Sequence, residues 1–334
     1  METGFWTRAR WTQVIQYVGR HMELVTGGAG FIGSHLVDAL VASGKSVRVL
    51  DNFSSGRMEF LSHHDGSGMV EVVKADLLDP EAVRQALVDV DVVHHMAANP
   101  DIRLGTTVTD TDLKQGTVAT YNVLEAMRLE DVGRISFSSS SAVYGEADVM
   151  PTPETYGPIK PISLYGASKL ASEALITAWC GTFGAKSWVH RFANIVGPRG
   201  THGVIYDFIH KLKADQGRLE VLGNGRQEKS YMSAHDCVQA MVHLVDNTSA
   251  DVNLYNLGTG DTCSVRRIAE IVVEESGLEG VSIEYTGGDR GWAGDVPKTS
   301  LNVESLFATG FRPDMMSEQA IRHTASALIS EIGL

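Results

Sequence analysis

The amino-acid sequence predicts an α/β fold: a doubly wound parallel sheet with a smaller, partly discontinuous C-terminal α/β lobe. Three observations carry that prediction. Short apolar runs alternate with longer helical segments from Met22 onward, the pattern of βαβ units. The glycine-rich turn Gly27-Gly28-Ala29-Gly30 joins the first such run to a helix. The alternation breaks after Gly197-Pro198, where Gly, His and Pro become frequent and helices intermix with short strands.

The strand-like runs fall at 23–26, 47–50, 70–73, 92–95, 135–138 and 187–191. Each is too short for a helix and is followed by a segment long enough to cross back over the sheet. Those crossovers are expected at 32–43, where Leu36, Val37 and Leu40 make an apolar face, and at 80–88, 112–128 and 168–183. The second lobe should lie over the carboxyl edge of the sheet, where open α/β sheets hold their ligands.

A chain of 334 residues with 43% apolar and 21% charged residues can bury a sizeable core unaided. Its net charge of -13, without basic runs, argues against nucleic acid or an anionic membrane surface as partner. An anionic small ligand would therefore need local cations. Cys180, Cys237 and Cys263 show neither metal-ligand spacing nor a paired framework, so no metal is expected and a reducing, cytoplasmic location is. No apolar run approaches the roughly 20 residues of a membrane-spanning helix. In residues 1–21, Trp11, Val14, Ile15 and Val18 fall at helical spacing and Arg8, Arg10 and Arg20 add a basic bias. That composition favours an upstream extension before a start at Met22 over a weak transit segment.

Gly27, Gly30 and Gly33 permit a tight turn and close approach of backbone N–H groups to a pyrophosphate at the helix N-terminus. Asp51 ends the second strand near the ~20-residue separation expected for a carboxylate on an adenosine ribose. Such a carboxylate repels the extra phosphate of NADP and favours NAD, although Arg57 is close in sequence. A solvated turn acid is the plainer reading of Asp51. Asp76 is placed to meet an adenine amino group, and Met96, Ala97 and Ala98 give a cofactor room at the end of the fourth strand; both could be ordinary strand-end chemistry.

Tyr165 and Lys169 stand at i and i+4, on one face of a helix start. A nearby ammonium, together with the positive ring of an oxidised nicotinamide, lowers a phenol from its ordinary pKa near 10 and makes it a usable base. The run Phe137 to Gly145, with Ser138, Ser139, Ser140 and Ser141, brings hydroxyls to the same sheet edge. Alone, each motif could be a turn or a chance helix pair.

In this order and spacing, the motifs resemble the extended short-chain dehydrogenase/reductases, most closely the UDP-glucose 4-epimerase branch, from about Met22 to Thr324. The resemblance rests on the Thr-Gly-Gly-Ala-Gly-Phe-Ile-Gly opening, Asp51-Asn52, the Ala-Ala-Asn-Pro stretch, the serine-rich strand end, Tyr165/Lys169 and Arg191-Phe192-Ala193-Asn194. It implies a Rossmann-like NAD-binding unit over 22–197 plus returning segments, with a UDP-sugar lobe over most of 198–334. Phe31, Ile32, Asn52, Leu77, Ser138 and Phe192 would join the cofactor contacts named above. By the same resemblance, Tyr165 takes the proton of a sugar 4-hydroxyl, Ser140 hydrogen-bonds that oxygen, and Lys169 holds the nicotinamide ribose. Substrate contacts would come from Ser140, Ser141, Asn194, Val204, Leu222, Lys229, Arg290, Asp295 and Thr299.

Four departures stand out. Lys229 replaces an arginine, keeping the charge but losing the bidentate fork. The segment from Arg290 to Asp295 is two residues longer than the usual form. Gly116 replaces an asparagine near the cofactor. Thr299 replaces a bulky tyrosine and would admit N-acetylated sugars. A 4,6-dehydratase or a UDP-glucuronate decarboxylase is disfavoured because Ser141 and Ala142 stand where those enzymes carry acids. UDP-glucuronate epimerisation, a simple reductase and a non-catalytic dinucleotide sensor remain as alternatives. The helices near 112–128 and 168–183 are apolar on more than one face. By resemblance they imply a homodimer through a four-helix bundle, although Val118, Tyr121, Leu170 and Leu175 could equally be interior.

Overall fold

The computed structural model describes residues 21–291 and 296–334. Its main sheet is parallel throughout, in the order Val252–Leu257, β6 (Lys186–Phe192), β5 (Arg134–Ser140), β4 (Val92–His95), β1 (Met22–Thr26), β2 (Ser46–Asp51) and β3 (Val70–Lys74). The direction of winding reverses between β1 and β4, which opens a crevice at their carboxyl ends. The six predicted strands are all present. The seventh comes from the irregular second half: Val252–Leu257 pairs residue for residue with 187–192. Residues 1–20, and with them the helical spacing read in the extension, lie outside the described residues.

The core divides by face. Helices α2 (Pro80–Ala86), α3 (Ala119–Leu129) and α4 (Leu164–Phe183) cover one side, with Val123, Leu124, Met127 and Ile176 packed on Leu24, Val93, Ile135 and Phe137. On the other side α1 (Phe31–Ala42) packs with α6 (Ala234–Asn247), joining Leu36, Val37 and Leu40 to Val47, Val49, Trp188 and Met241. Helix α6 thus returns to the first unit together with the seventh strand. A separate cluster holds the other lobe: α5 (Val204–Ala214), α7 (Val265–Ser276) and α8 (Ser317–Ile332) bury Phe208, Ile209, Leu212, Ile268, Ile271 and Ile321. Among the described residues no helix is long and apolar enough to cross a membrane.

The central strands bury one carboxylate whose charge is held by the fold. Glu23 on β1 is 2% exposed and accepts from His94 Nε2 at 2.6 Å and Lys45 Nζ at 2.7 Å. Burial alone would raise its pKa, but the hydrogen bonds and charges of His94 and Lys45 outweigh burial and bring it from 4.5 to about 2. A carboxyl whose folded value is depressed contributes stability above its unfolded value and loses it as pH falls through the folded one. This pair should therefore contribute roughly 3 kcal/mol at neutral pH, lost between about pH 4.5 and pH 2. Urea melts at pH 7 and pH 3 should show Glu23→Gln destabilising the chain clearly at pH 7 and much less at pH 3; equal losses at both would contradict the assignment.

Candidate active site

The first loop is shaped by what its glycines lack. Gly27 has φ +66°, and a Cβ there would lie 2.8 Å from Ala97 Cα; a Cβ on Gly33 would lie 2.1 Å from Gly27 O. Gly30 is the N-cap of α1, and no side chain caps the helix. Its first-turn amides therefore face the crevice, a ready anion site. Behind them Asp51, 7% exposed, accepts from Ala29 N at 3.0 Å and Phe53 N at 2.8 Å. Gly56 packs on that carboxylate: a Cβ there would come within 2.8 Å of it. These features fit a dinucleotide, with its pyrophosphate on the loop and a ribose at Asp51. Asn52 and Asp76 interlock, Asn52 Nδ2 donating to Asp76 Oδ2 at 3.0 Å while Leu78 N donates to Asp76 Oδ1 at 2.9 Å. Asp76 is the exception to the sequence reading: it braces Asn52 and does not line the cleft, whereas its neighbours Ala75 and Leu77 do.

One cleft of about 1030 Å³ runs from this loop to the second lobe. It is lined by every other predicted cofactor residue: Gly27, Gly30, Phe31, Ile32, Gly33, Asp51, Asn52, Leu77, Met96, Ala97, Ala98, Ser138, Tyr165, Lys169 and Phe192. Of the predicted substrate residues it brings in Ser140, Ser141, Asn194, Val204, Leu222, Lys229 and Thr299.

At its centre, α4 begins earlier than its apolar periodicity suggests, because Ser163 Oγ caps Gly166 N at 3.1 Å. Gly166 packs so closely on Ala142 O that a Cβ would approach it to 2.6 Å, which presses the helix start against the end of β5. Lys169, 3% exposed, donates to Ser138 O at 2.6 Å and lies 4.8 Å from the centre of the Phe137 ring. Ser140 Oγ accepts from Ala142 N at 3.2 Å and lies near enough to the Tyr165 phenol to oppose the rise in its pKa.

The electrostatics of the chain alone separate the effect of burial from that of the ammonium. Burial, helped by the Asp112 carboxylate, raises Tyr165 to about 12 against the partial opposition of Ser140, and Lys169 does not bring it down. Burial also lowers Lys169 to about 7, with Glu173 and Asp112 supporting its charge. In the protein alone burial keeps the Tyr165 phenol protonated at neutral pH, and a further positive charge in the cleft would lower its value. Asp112, 1% exposed, acts from beneath the site, its Oδ1 accepting from Asn99 Nδ2 at 3.1 Å.

In the second lobe, Lys229 and Thr299 are cross-strand neighbours. Asn194 Nδ2 donates to Ser230 O at 3.1 Å, so part of its amide is already engaged by the fold. Leu222 stays 48% exposed at the rim, as a residue that packs on a flat ligand would. Arg290 does not line the cleft: it forms an ion pair with Glu146, and Gly291 lines in its place. Asp295 lies outside the described residues. Gly116 is a packing glycine, since a Cβ would fall 2.6 Å from Ser168 Oγ on α4. It sits in a single π-helical segment, Leu113–Val118, and that segment places Gln115 on the cleft wall. Sequence reasoning missed Gln115, because a π-bulge shifts helical phase without a residue signature.

A model of the NAD dependent epimerase/dehydratase family matches residues 23–258. A crystal structure of a UDP-galactose 4-epimerase superposes with a TM-score of 0.84 at 43% identity, covering 93% of this chain and 99% of that one. A UDP-glucose 4-epimerase of Mycolicibacterium smegmatis is 34% identical over 251 residues, 73% of this chain and 79% of that protein. The UDP-glucuronic acid decarboxylase 1 of Xenopus tropicalis is also 34% identical, over 71% of this chain and 56% of its own length. By that family match and these likenesses, this chain belongs to the NAD-dependent epimerase/dehydratase family.

Proposed function

We propose that the protein inverts C4 of a UDP-hexose. The observation that carries this reading is the meeting of Ser140, Tyr165 and Lys169 midway along one cleft, between the dinucleotide cradle and the lobe bearing Lys229. Bound NAD would supply a hydride acceptor and, once reduced, a donor. Tyr165 would take the proton of the 4-hydroxyl as the C4 hydride leaves, and Ser140 would hold the same oxygen. Return of that proton from Tyr165, with hydride delivered to the other face of the 4-ketosugar, completes inversion without net oxidation. Lys169 would bind the nicotinamide ribose, its position fixed by Ser138 O. Lys229 and Asn194 would anchor the diphosphate, leaving the sugar free to turn. The family resemblance gives Arg290 the same anchoring role, which would require it to leave Glu146.

The decarboxylase reading is weaker here, because the end of β5 offers Ser141 and Ala142 rather than a carboxylic acid. We assign residues 22–197, with α6 and Val252–Leu257, to the NAD-binding unit, and most of the remainder to the UDP-sugar lobe. Val118 (39% exposed), Tyr121 (47%) and Leu129 (46%) give α3 and its π-segment an apolar outer face. That face supports a homodimer through α3 and α4.

Thr299 beside Lys229 sets the room available next to the sugar. We expect the enzyme to convert UDP-GlcNAc as well as UDP-Glc, and Thr299→Tyr to lose the acetylated substrate by at least about tenfold relative to UDP-Glc. NMR of a screen of UDP-Glc, UDP-GlcNAc and UDP-glucuronate decides this. Turnover of UDP-Glc alone would remove the N-acetyl extension, and bound ligand without product would favour a sensor.

A further inference from the structure

Outside the cleft, helix α1 and the turns after β2 bring together a set of donors that the proposed reaction does not use. Asp38 Oδ1 accepts from His63 Nε2 at 2.8 Å and from His64 Nε2 at 2.7 Å. Its other oxygen, Oδ2, pairs with Arg199 Nη1 at 2.9 Å. The three donor atoms all lie within 4.8 Å of one another, and the two imidazole rings stand side by side with centroids 4.1 Å apart. Asp38 and His64 are partly shielded, with side-chain exposures of 30% and 11%, and His63 forms the outer edge at 48%.

One carboxylate oxygen can accept from both rings, but the same geometry points two imidazole Nε2 atoms and Oδ1 into one small volume while Arg199 holds Oδ2. Each neutral imidazole can carry its proton on Nδ1 instead, which frees Nε2 as a lone-pair donor. Two imidazole nitrogens and one carboxylate oxygen suit a borderline divalent transition ion, with water as the fourth ligand of a tetrahedron. Arg199 on the far oxygen would orient the carboxylate and keep it monodentate.

We propose that Asp38, His63 and His64 form a binding site for one divalent ion of the zinc class. The position gives the site a consequence. Asp38 lies on the helix whose first turn shapes the dinucleotide cradle, the two histidines follow the loop whose Gly56 packs on Asp51, and Arg199 adjoins the cleft-lining segment 200–204. One bound ion would staple these segments along the cofactor side of the cleft.

The test uses the full chain, free of any tag and stripped with a chelator. Calorimetric titration with ZnCl2 should show one ion per chain, Co2+ should give the visible ligand-field band of a tetrahedral site, and Zn2+ should raise Tm by linkage. His64→Ala and Asp38→Asn should each weaken Zn2+ binding more than about 100-fold, beyond the 10–100-fold typical of losing an outer partner. Asp38→Asn keeps the side-chain shape, so it remains informative if His64→Ala folds poorly. Absence of saturable binding in the parent chain overturns the proposal, as does unchanged stoichiometry and affinity in the two variants.

Discussion

Replacing Tyr165 by phenylalanine should lower kcat for C4 inversion by about a thousandfold, within the range by which positioned acid–base groups accelerate reactions. Binding of NAD and UDP-hexose should stay within a few fold. Tyr165 is partly exposed as a residue but its phenol group is buried beside Ser140, so the substitution removes the proton carrier and leaves the ring in place. The direction of the pKa shifts sharpens the expectation. Burial and Asp112 hold the phenol near 12, so in the absence of ligands a difference spectrum between parent and Tyr165→Phe should show no phenolate at pH 8. Adding NAD brings a cation into the cleft and should move the phenolate signal to lower pH, because a nearby positive charge favours the ionised form. Retention of parent-like kcat in Tyr165→Phe would end the proposed mechanism. Ligand-free phenolate at pH 8 would show that Lys169 alone suffices, contrary to the geometry.

Much of this arrangement was legible in the sequence, since its signals are local. The glycine loop, Asp51, the serine-rich strand end and the Tyr165/Lys169 spacing each lie within one strand–turn–helix unit, so adjacency in sequence becomes adjacency in space. What escaped depends on long-range packing. Val252–Leu257 reads as one more short run in an irregular stretch, and only its pairing with β6 makes it the seventh strand. Asp112 reads as a helix-start acid, yet folding buries it where its charge acts on Tyr165 and Lys169. Gly116 reads as a lost asparagine, and the structure gives it a different task, the close contact with Ser168. The Asp38–His63–His64 cluster joins residues about one βα unit apart, with none of the spacings by which metal sites are read.

The strand end that presents these hydroxyls rests on a buried ion pair, and breaking it should cause the largest loss of stability. Glu173 on α4 accepts from Arg191 Nε at 3.0 Å and Nη2 at 2.7 Å, with both side chains less than a tenth exposed. Glu173 Oε1 also accepts from Ser139 Oγ at 2.5 Å, while the guanidinium lies 4.7 Å from the centre of the Tyr144 ring and donates to Glu154 O at 3.2 Å. Although burial opposes it, the hydrogen bonds and charge of Glu173 raise the Arg191 pKa above its ordinary value. Glu173→Leu leaves a guanidinium buried without its counter-charge and should cost about 3–5 kcal/mol. The double substitution Glu173→Leu with Arg191→Met removes both charges and should recover most of that loss, since a buried pair replaced by packed apolar groups is often neutral. Urea unfolding of the single and double variants tests this coupling; additive losses would mean that the two side chains stabilise independently. Ser139 stands between Ser138, whose carbonyl fixes Lys169, and Ser140, which lies beside the Tyr165 phenol. Even a stable double variant should therefore lose turnover more than substrate affinity, because the pair sets the register of the hydroxyls on which the proposed proton transfer depends.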